Sequence, residues 1–483
     1  MTSAVSAPPG GSAGILARQA RRESSARTYP HRLPLVLARG EGVYLTSTDG
    51  RIYLDCLAGA GSLALGHRHP VVLEAIRDAL DRGLPLQTLD LATPVKDELT
   101  GELLRHLPPQ LAAGARVQFC GPSGADAVEA AWKLVKTATG RRGLLAFSGG
   151  YHGMTHGALA ATGAAAPKAA VGGLGGEVQF LPFPSRYRCP LGIGGQAGEN
   201  ACASYVERLL DDPSSGVAPP AGMLLEVVQG EGGVQPAPDE WLRAMRRLTA
   251  SHGIPLIVDE VQTGLGRTGH LFAFERAGVV PDVLVLSKAL GGGLPLAVIV
   301  YRGELDRWGP GAHAGTFRGN QLAMAAGLAT LRHIVAEDLP AHAAAMGARL
   351  RRHLVAVQRQ RGCVGDVRGR GLMLGVEVVA PDAPPDACGA RPADGPLARR
   401  VQAECLARGL IVELGGRHEA VVRFLPPLIV SPEQVDDIAE RFAAAVEAAE
   451  RGVRGAQEQG PDPDSGDEQS RALASRSQIG GGW

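Results

Sequence analysis

The sequence predicts an α/β protein: a large domain on a mostly parallel sheet with helices on both faces, followed by a smaller α+β domain. Three observations carry this. Short apolar runs of strand length alternate with segments of helical period. Polar, glycine-rich turns follow most of those runs, where an open α/β sheet places its ligands. After about Gln321 the pattern turns helical and then gives a few short strands closed by a final helix.

Residues 1–27, rich in Ala, Ser, Gly, Pro and Arg without a hydrophobic period, read as a disordered arm. Residues 28–75, with strands around 42–56, form a segment that joins the small domain. The large domain, 76–325, has strand candidates at 116–119, 143–147, 223–228, 254–258, 283–286 and 296–300. Its helix at 125–139 carries the apolar face Val128, Ala131, Trp132 and Val135, and Gly140 stops it. The small domain, 326–452, takes the helix at 340–360, most of one at 322–335, strands at 371–379, 410–414 and 421–425, and a closing helix at 432–450. A Pro-rich loop at 381–396 lies inside it, and 453–483 reads as a second disordered segment. The sequence shows no internal repeat.

The bulk numbers exclude several classes of function. Hydrophobic residues make 45% of the chain and charged ones 20%, as in an ordinary globular protein. With 49 basic residues against 49 acidic, nothing draws the chain to nucleic acid or to an anionic membrane. The seven cysteines are an odd number without CxxC spacing, which predicts free thiols in a reducing compartment. No apolar run reaches membrane-spanning length and no signal-peptide core is present, so the expected location is cytoplasmic. The thirteen histidines show no metal-ligand spacing, and no metal is expected.

The chemistry collects where strands end. The only lysines are Lys96, Lys133, Lys136, Lys168 and Lys288, and of these Lys288 alone closes a buried-strand run. A lysine there can lose its proton and act as a nucleophilic amine, which an arginine effectively cannot. Asp259 closes another apolar run, and a carboxylate is the partner a protonated pyridine nitrogen needs. An amine that bonds an aldehyde and an aspartate for a pyridinium are the minimum for pyridoxal phosphate chemistry. Either residue alone has a plainer reading, as a strand-end lysine or an N-capping aspartate. Ser123, Gly124 and Ala125 open a helix whose free N–H groups suit a phosphate, although any N-cap has this form. Tyr151, among glycines, can lie over a flat ligand or simply mark a turn. Glu231 sits in the loop Gln229-Gly-Glu-Gly-Gly, either at a site or in solvent. A GxGxxG at Gly264, Gly266 and Gly269 lies several residues past its strand with no clear helix after it, so a dinucleotide fold is rejected.

Seven motifs in this order resemble the class III aminotransferases, pyridoxal-phosphate enzymes of fold type I, over roughly residues 30–450. They are GPSGADAVEAAWKLVK (121–136), FSGGYHGMTHGAL (147–159), LLEVVQGEGG (224–233), LIVDEVQTGLGRTG (256–269), LVLSKALGGGLPLA (284–297), GTFRGNQLA (315–323) and VRFLPPL (422–428). The resemblance implies that Lys288 bonds the cofactor and moves the proton, and that Asp259 pairs with the pyridine nitrogen. Gln262 would bond the 3-hydroxyl, Tyr151 and Val261 would sandwich the ring, and Ser123, Gly124 and Ala125 would cradle the phosphate. Thr316 would join that cradle from the neighbouring subunit, implying a homodimer. Arg423 would grip a substrate α-carboxylate, and Glu231 would pair with Arg423 whenever an ω-amine is bound.

Met154 stands where many members have an arginine, and Arg318 where many have a glycine. With CLAGAGSLALGH (56–67), TLDLATPVKDEL (88–99) and WGPGAHAGTFRGNQLAMAAG (308–327), this resembles the diaminobutyrate-forming members. Those move the amino group of L-glutamate to L-aspartate 4-semialdehyde. Arg318 would hold the distal carboxylate of 2-oxoglutarate or else the dimer interface. The competing expectations are an aminomutase, an ω-aminotransferase using ornithine, 4-aminobutyrate or pyruvate, and a non-catalytic cofactor-binding protein.

Overall fold

The computed structural model describes residues 11–175 and 177–458. Near the N-terminus, β1 (Leu37–Glu41), β2 (Tyr44–Ser47) and β3 (Ile52–Asp55) form an antiparallel meander. The large sheet follows with β4 (Arg116–Phe119), β5 (Leu144–Phe147), β6 (Val178–Leu181) and β7 (Gly222–Glu226). After the two-residue strands β8 (Val228–Gln229) and β9 (Gln235–Pro236), it is completed by β10 (Leu256–Asp259), β11 (Val283–Leu286) and β12 (Val298–Tyr301). The seven strands lie in the order β4-β12-β11-β10-β7-β5-β6, with β12 alone reversed. The C-terminal sheet has the order β13-β14-β17-β16, from β13 (Val364–Arg370), β14 (Met373–Val378), β16 (Glu413–Gly415) and β17 (Val421–Phe424).

Helices on both faces explain the unbroken apolar runs of the central strands. In β10, Ile257 turns to the cluster that includes Val128, Ala131 and Val135 of the helix Gly124–Thr139. Leu256 and Val258 turn to the opposite cluster, with Trp241 and Met245 of the helix Asp239–Ser251. Ser123 caps the first of these helices by accepting from the Asp126 N–H at 3.2 Å, and Gly140 ends it in the left-handed region at φ 69°. No helix among the described residues is long and apolar enough to cross a membrane.

Several expectations need correction. Gly11–Arg22 is a helix, not disordered, because the Gly and Ser of the arm give way to the helix formers of ILARQARR; residues 1–10 lie outside the described residues. At the other end the helix Pro432–Glu458 runs past the expected joint at 452/453, and 459–483 lie outside the described residues. The joints expected at 75/76 and 325/326 fall inside the helices Pro70–Asp81 and Gln321–Ala336, which pack against each other. The strand expected at 410–414 is two strands. β15 (Leu410–Ile411) lies parallel to β3 in the N-terminal sheet, and β16 joins β17. The strands β6 and β13 were not expected at all.

The GxGxxG segment ties the loop after β10 of the large sheet to the C-terminal sheet. Arg267, 2% exposed, donates from Nη1 to the Leu372 carbonyl at 3.2 Å and to that of Pro426, while its own carbonyl accepts from the Leu372 N–H. Nearby, the helix Leu339–Gln360 presents Gly347 to the Gly371 turn, where an added Cβ would lie 2.0 Å from the Gly371 carbonyl oxygen. Helix propensity alone favours Gly347→Ala by about 1 kcal/mol, but forcing backbone apart costs about 1–3 kcal/mol. The expected outcome is therefore a lower Tm, measured by calorimetry; a higher Tm would mean that helix and turn are not in contact.

Candidate active site

The carboxyl ends of β5, β7, β10 and β11 converge on one cavity of about 250 Å³. Its lining includes Ser123, Gly124, Ala125, Tyr151, Glu231, Val261, Gln262, Asp259 and Lys288, so nine of the expected residues share one space. A wider concavity of about 690 Å³ between the helices Gly195–Asp211 and Asp239–Ser251 contains none of these groups.

Lys288 follows β11 in a left-handed conformation, φ 46°, that a side-chain-bearing residue adopts only at a cost. The strain turns its amine into the cavity, where burial lowers its pKa and favours the neutral, nucleophilic form. Ser287 braces the turn by donating to the Leu296 carbonyl at 2.8 Å. Asp259, the last residue of β10, accepts from the Val261 N–H at 3.0 Å and is bonded by His152 Nδ1 at 2.8 Å. Glu226 closes the neighbouring strand β7 and accepts from the N–H groups of Tyr151 and Gly230, both at 2.9 Å. Burial, reinforced by Asp259, pushes its carboxyl above the ordinary range.

Close approach dictates the glycines here. A Cβ on Gly124 would lie 2.9 Å from Val261, and one on Gly230 would lie 1.9 Å from Gln262 Oε1. Gln262 donates to the Ala60 carbonyl at 3.2 Å, while its buried Oε1 has no partner.

Arg423 lies on β17 and has no exposed side-chain surface. Its Nη2 is 2.9 Å from Glu231 Oε1 and 2.6 Å from Glu413 Oε2. These are charge contacts whose angles do not make hydrogen bonds, and Nε and Nη1 are buried without partners. Burial opposes the guanidinium charge, but Glu231 and Glu413 outweigh it and raise the pKa. Gly415 permits this packing, since a Cβ there would come within 2.7 Å of Arg423 Nε. Tyr29 donates its hydroxyl to Glu413 Oε1 at 2.6 Å.

Two expected residues lie apart from this chain's own cavity. Thr316 is exposed at the start of a short turn. Arg318 is held by Asp90 at 2.6 Å and by the His313 carbonyl at 2.8 Å. His313 Nε2 in turn reaches Asp126 Oδ2 at 2.9 Å, which fastens the Thr316 turn to the helix that begins at Gly124. Cys120, Asp126 and His313 bring their ligand atoms within 4.8 Å of one another, with Asp126 already accepting from the Gly121 N–H.

Sequence reasoning missed His152, Glu226, Glu413 and Tyr29. Glu226 carried a readable signal, a carboxylate ending an apolar run as Asp259 does. His152 stood beside Tyr151, whereas Tyr29 and Glu413 gave no local sign.

The class-III aminotransferase family model matches residues 24–446. A diaminobutyrate–2-oxoglutarate aminotransferase of Rhizobium meliloti is 56% identical over 432 residues, covering 89% of this chain and 92% of that protein. The enzyme of the same name from Haemophilus influenzae is 50% identical over 440 residues, covering 91% and 96%. Among solved structures, a PLP-bound amine transaminase from an uncultivated Pseudomonas species superposes with TM-score 0.79 at 31% identity, covering 88% of this chain and 97% of that one. An (S)-enantioselective ω-transaminase from Thermomicrobium roseum gives 0.80 at 30% identity, covering 90% and 98%. The fold is that of the pyridoxal-phosphate-dependent transaminases, fold type I, and the chain belongs to the class III aminotransferases.

Proposed function

We propose that the protein moves an amino group between L-glutamate and L-aspartate 4-semialdehyde, forming 2-oxoglutarate and L-2,4-diaminobutyrate, with pyridoxal 5′-phosphate bound in the Lys288 cavity. The observation that carries this is the convergence of a strained, half-buried lysine and a strand-end aspartate on one space. The names of the relatives at 56% and 50% identity support the substrate pair.

The residues present fit the cofactor. The unpartnered Gln262 Oε1 suits a phenolic hydroxyl, and the helix start at Ser123, Gly124 and Ala125 suits a phosphate. Gly124 keeps the wall beside Val261 open for a flat ring, with Tyr151 on the cavity lining. Asp259, fixed by His152, offers its carboxylate to a ring nitrogen. When bound, the cofactor supplies an electron sink for the charge left as substrate carbon loses a proton. Lys288 takes that proton through its lowered pKa and returns it. Arg423, with two unpartnered nitrogens, receives the α-carboxylate of glutamate, and Glu231 moves aside.

The working unit is a homodimer, with Thr316 completing the partner's phosphate cradle. Leu86, Leu89, Leu91 and Phe317 support this, as exposed apolar side chains around the Thr316 turn at 58, 50, 68 and 59%. Arg318 then faces the pocket of the other subunit and holds the distal carboxylate of 2-oxoglutarate. The seven unpaired cysteines suit a reducing, cytoplasmic setting.

Glutamate with aspartate 4-semialdehyde should give diaminobutyrate, identified by mass spectrometry; a preference for ornithine, 4-aminobutyrate or pyruvate would overturn the substrate assignment. Borohydride reduction with the cofactor bound should mark Lys288, and Lys288→Ala should lose several orders of magnitude in turnover. A mark on Lys96, Lys133, Lys136 or Lys168 would contradict the lysine assignment. For Asp259→Asn, both half-reactions should slow far more than Tm falls, since an amide cannot keep a ring nitrogen protonated. Arg318→Ala should raise KM for 2-oxoglutarate and glutamate more than for diaminobutyrate, while light scattering still finds a dimer. An equal rise for the diamine, or dissociation to monomers, would sink that role.

A further inference from the structure

Arg423 is surrounded by more carboxylate than one cation needs. Glu413 is its cross-strand neighbour on β16, and both Glu413 and Glu231 bring an oxygen to the same Nη2. The two carboxylates differ in freedom. Glu231 sits between glycines in a loop with 37% of its side chain exposed, whereas Glu413 is fixed in a strand at 6%. Tyr29, from the helix Tyr29–Arg32, holds the other oxygen of Glu413. The charged and titratable groups facing Glu413 are therefore Arg423, Glu231, Tyr29 and Lys288.

Only Glu231 can leave Arg423. A substrate carboxylate in its place leaves two carboxylates on the buried guanidinium and adds a third negative charge, the displaced Glu231, nearby. Like charges gathered around one buried cation repel, and the buried Glu413 relieves this by binding a proton. Burial and then Glu231 already raise the Glu413 carboxyl above its ordinary range, against the pull of Arg423 and Tyr29. We propose that Glu413 is a positioning residue that binds one proton when a substrate carboxylate reaches Arg423 and releases it when the Glu231 pair is restored. This rests on the assignment of Arg423 to the substrate carboxylate.

Proton uptake makes dicarboxylate binding weaken as pH rises. Between the free and bound pKa of Glu413, affinity should fall about tenfold per pH unit. The test uses glutarate, which lacks an amino group and cannot turn over, titrated into the holoenzyme by calorimetry in buffers of different ionisation enthalpy. About one proton should be taken up per glutarate at a pH between those two pKa values, found by scanning pH. Glu413→Gln should abolish that uptake and flatten the pH profile. Tyr29→Phe should move the fall in affinity to higher pH, because it removes a hydrogen bond that favours the carboxylate.

If glutarate does not compete with glutamate, the Arg423 assignment itself is wrong. If it competes without proton uptake, or if Glu413→Gln still takes up the proton, this inference alone is overturned. Should Glu413→Gln fail to fold, the wild-type proton count and the Tyr29→Phe shift decide the matter.

Discussion

The hydrogen bond between His152 and Asp259 is the contact on which the site's arrangement depends. A carboxylate taken below the surface without a partner costs several kcal/mol, and Asp259 is only 5% exposed. His152 supplies that partner from the loop after β5, and the Val261 N–H supplies another from the turn after β10. One carboxylate thereby fixes two loops, and with them Tyr151 and Val261 on the cavity lining. Glu226 repeats the device on β7, where its hydrogen bonds to the Tyr151 and Gly230 N–H groups hold the start of the Glu231 loop. The walls are thus set by strand-end carboxylates before any ligand arrives.

Much of this was legible in the sequence because it is local. Apolar runs of strand length marked β4, β5, β10, β11 and β12, and the first polar residue after a run marked Asp259 and Lys288. β6 escaped notice because Val178–Leu181 is short and lacks a following site motif, and β13 because VGDVRGR reads as a charged turn. The pairing of Tyr29 with Glu413 spans 384 positions and leaves no local pattern in either segment. Composition misled at Gly11–Arg22, where a helix forms beside residues that suggested disorder.

Motif spelling misled least where geometry was consulted. Gly264, Gly266 and Gly269 spell a nucleotide-binding fingerprint, but Gly266 and Gly269 adopt φ 96° to pass Arg267 across to the carbonyls of Leu372 and Pro426. The buried guanidinium supplies hydrogen bonds to two backbone segments that have turned away from their own strands. Burial lowers its pKa to about 10, still leaving the cation in place at neutral pH. The glycines therefore serve the seam between the large sheet and the C-terminal sheet.

The split of 410–415 into β15 and β16 bears on how the chain is made. β3 finds its parallel neighbour in β15, from Leu54 to Leu410, so that edge stays bare until most of the polypeptide has left the ribosome. Tyr29 likewise waits for Glu413. Sequence-distant pairings of this kind form late and slowly, and open strand edges invite wrong partners meanwhile. During synthesis the large sheet can assemble from 116–301 while the opening segment remains a loose end. Completion of the fold around Arg423 is then a closing event, reached when the last sixth of the chain returns to the first eighth.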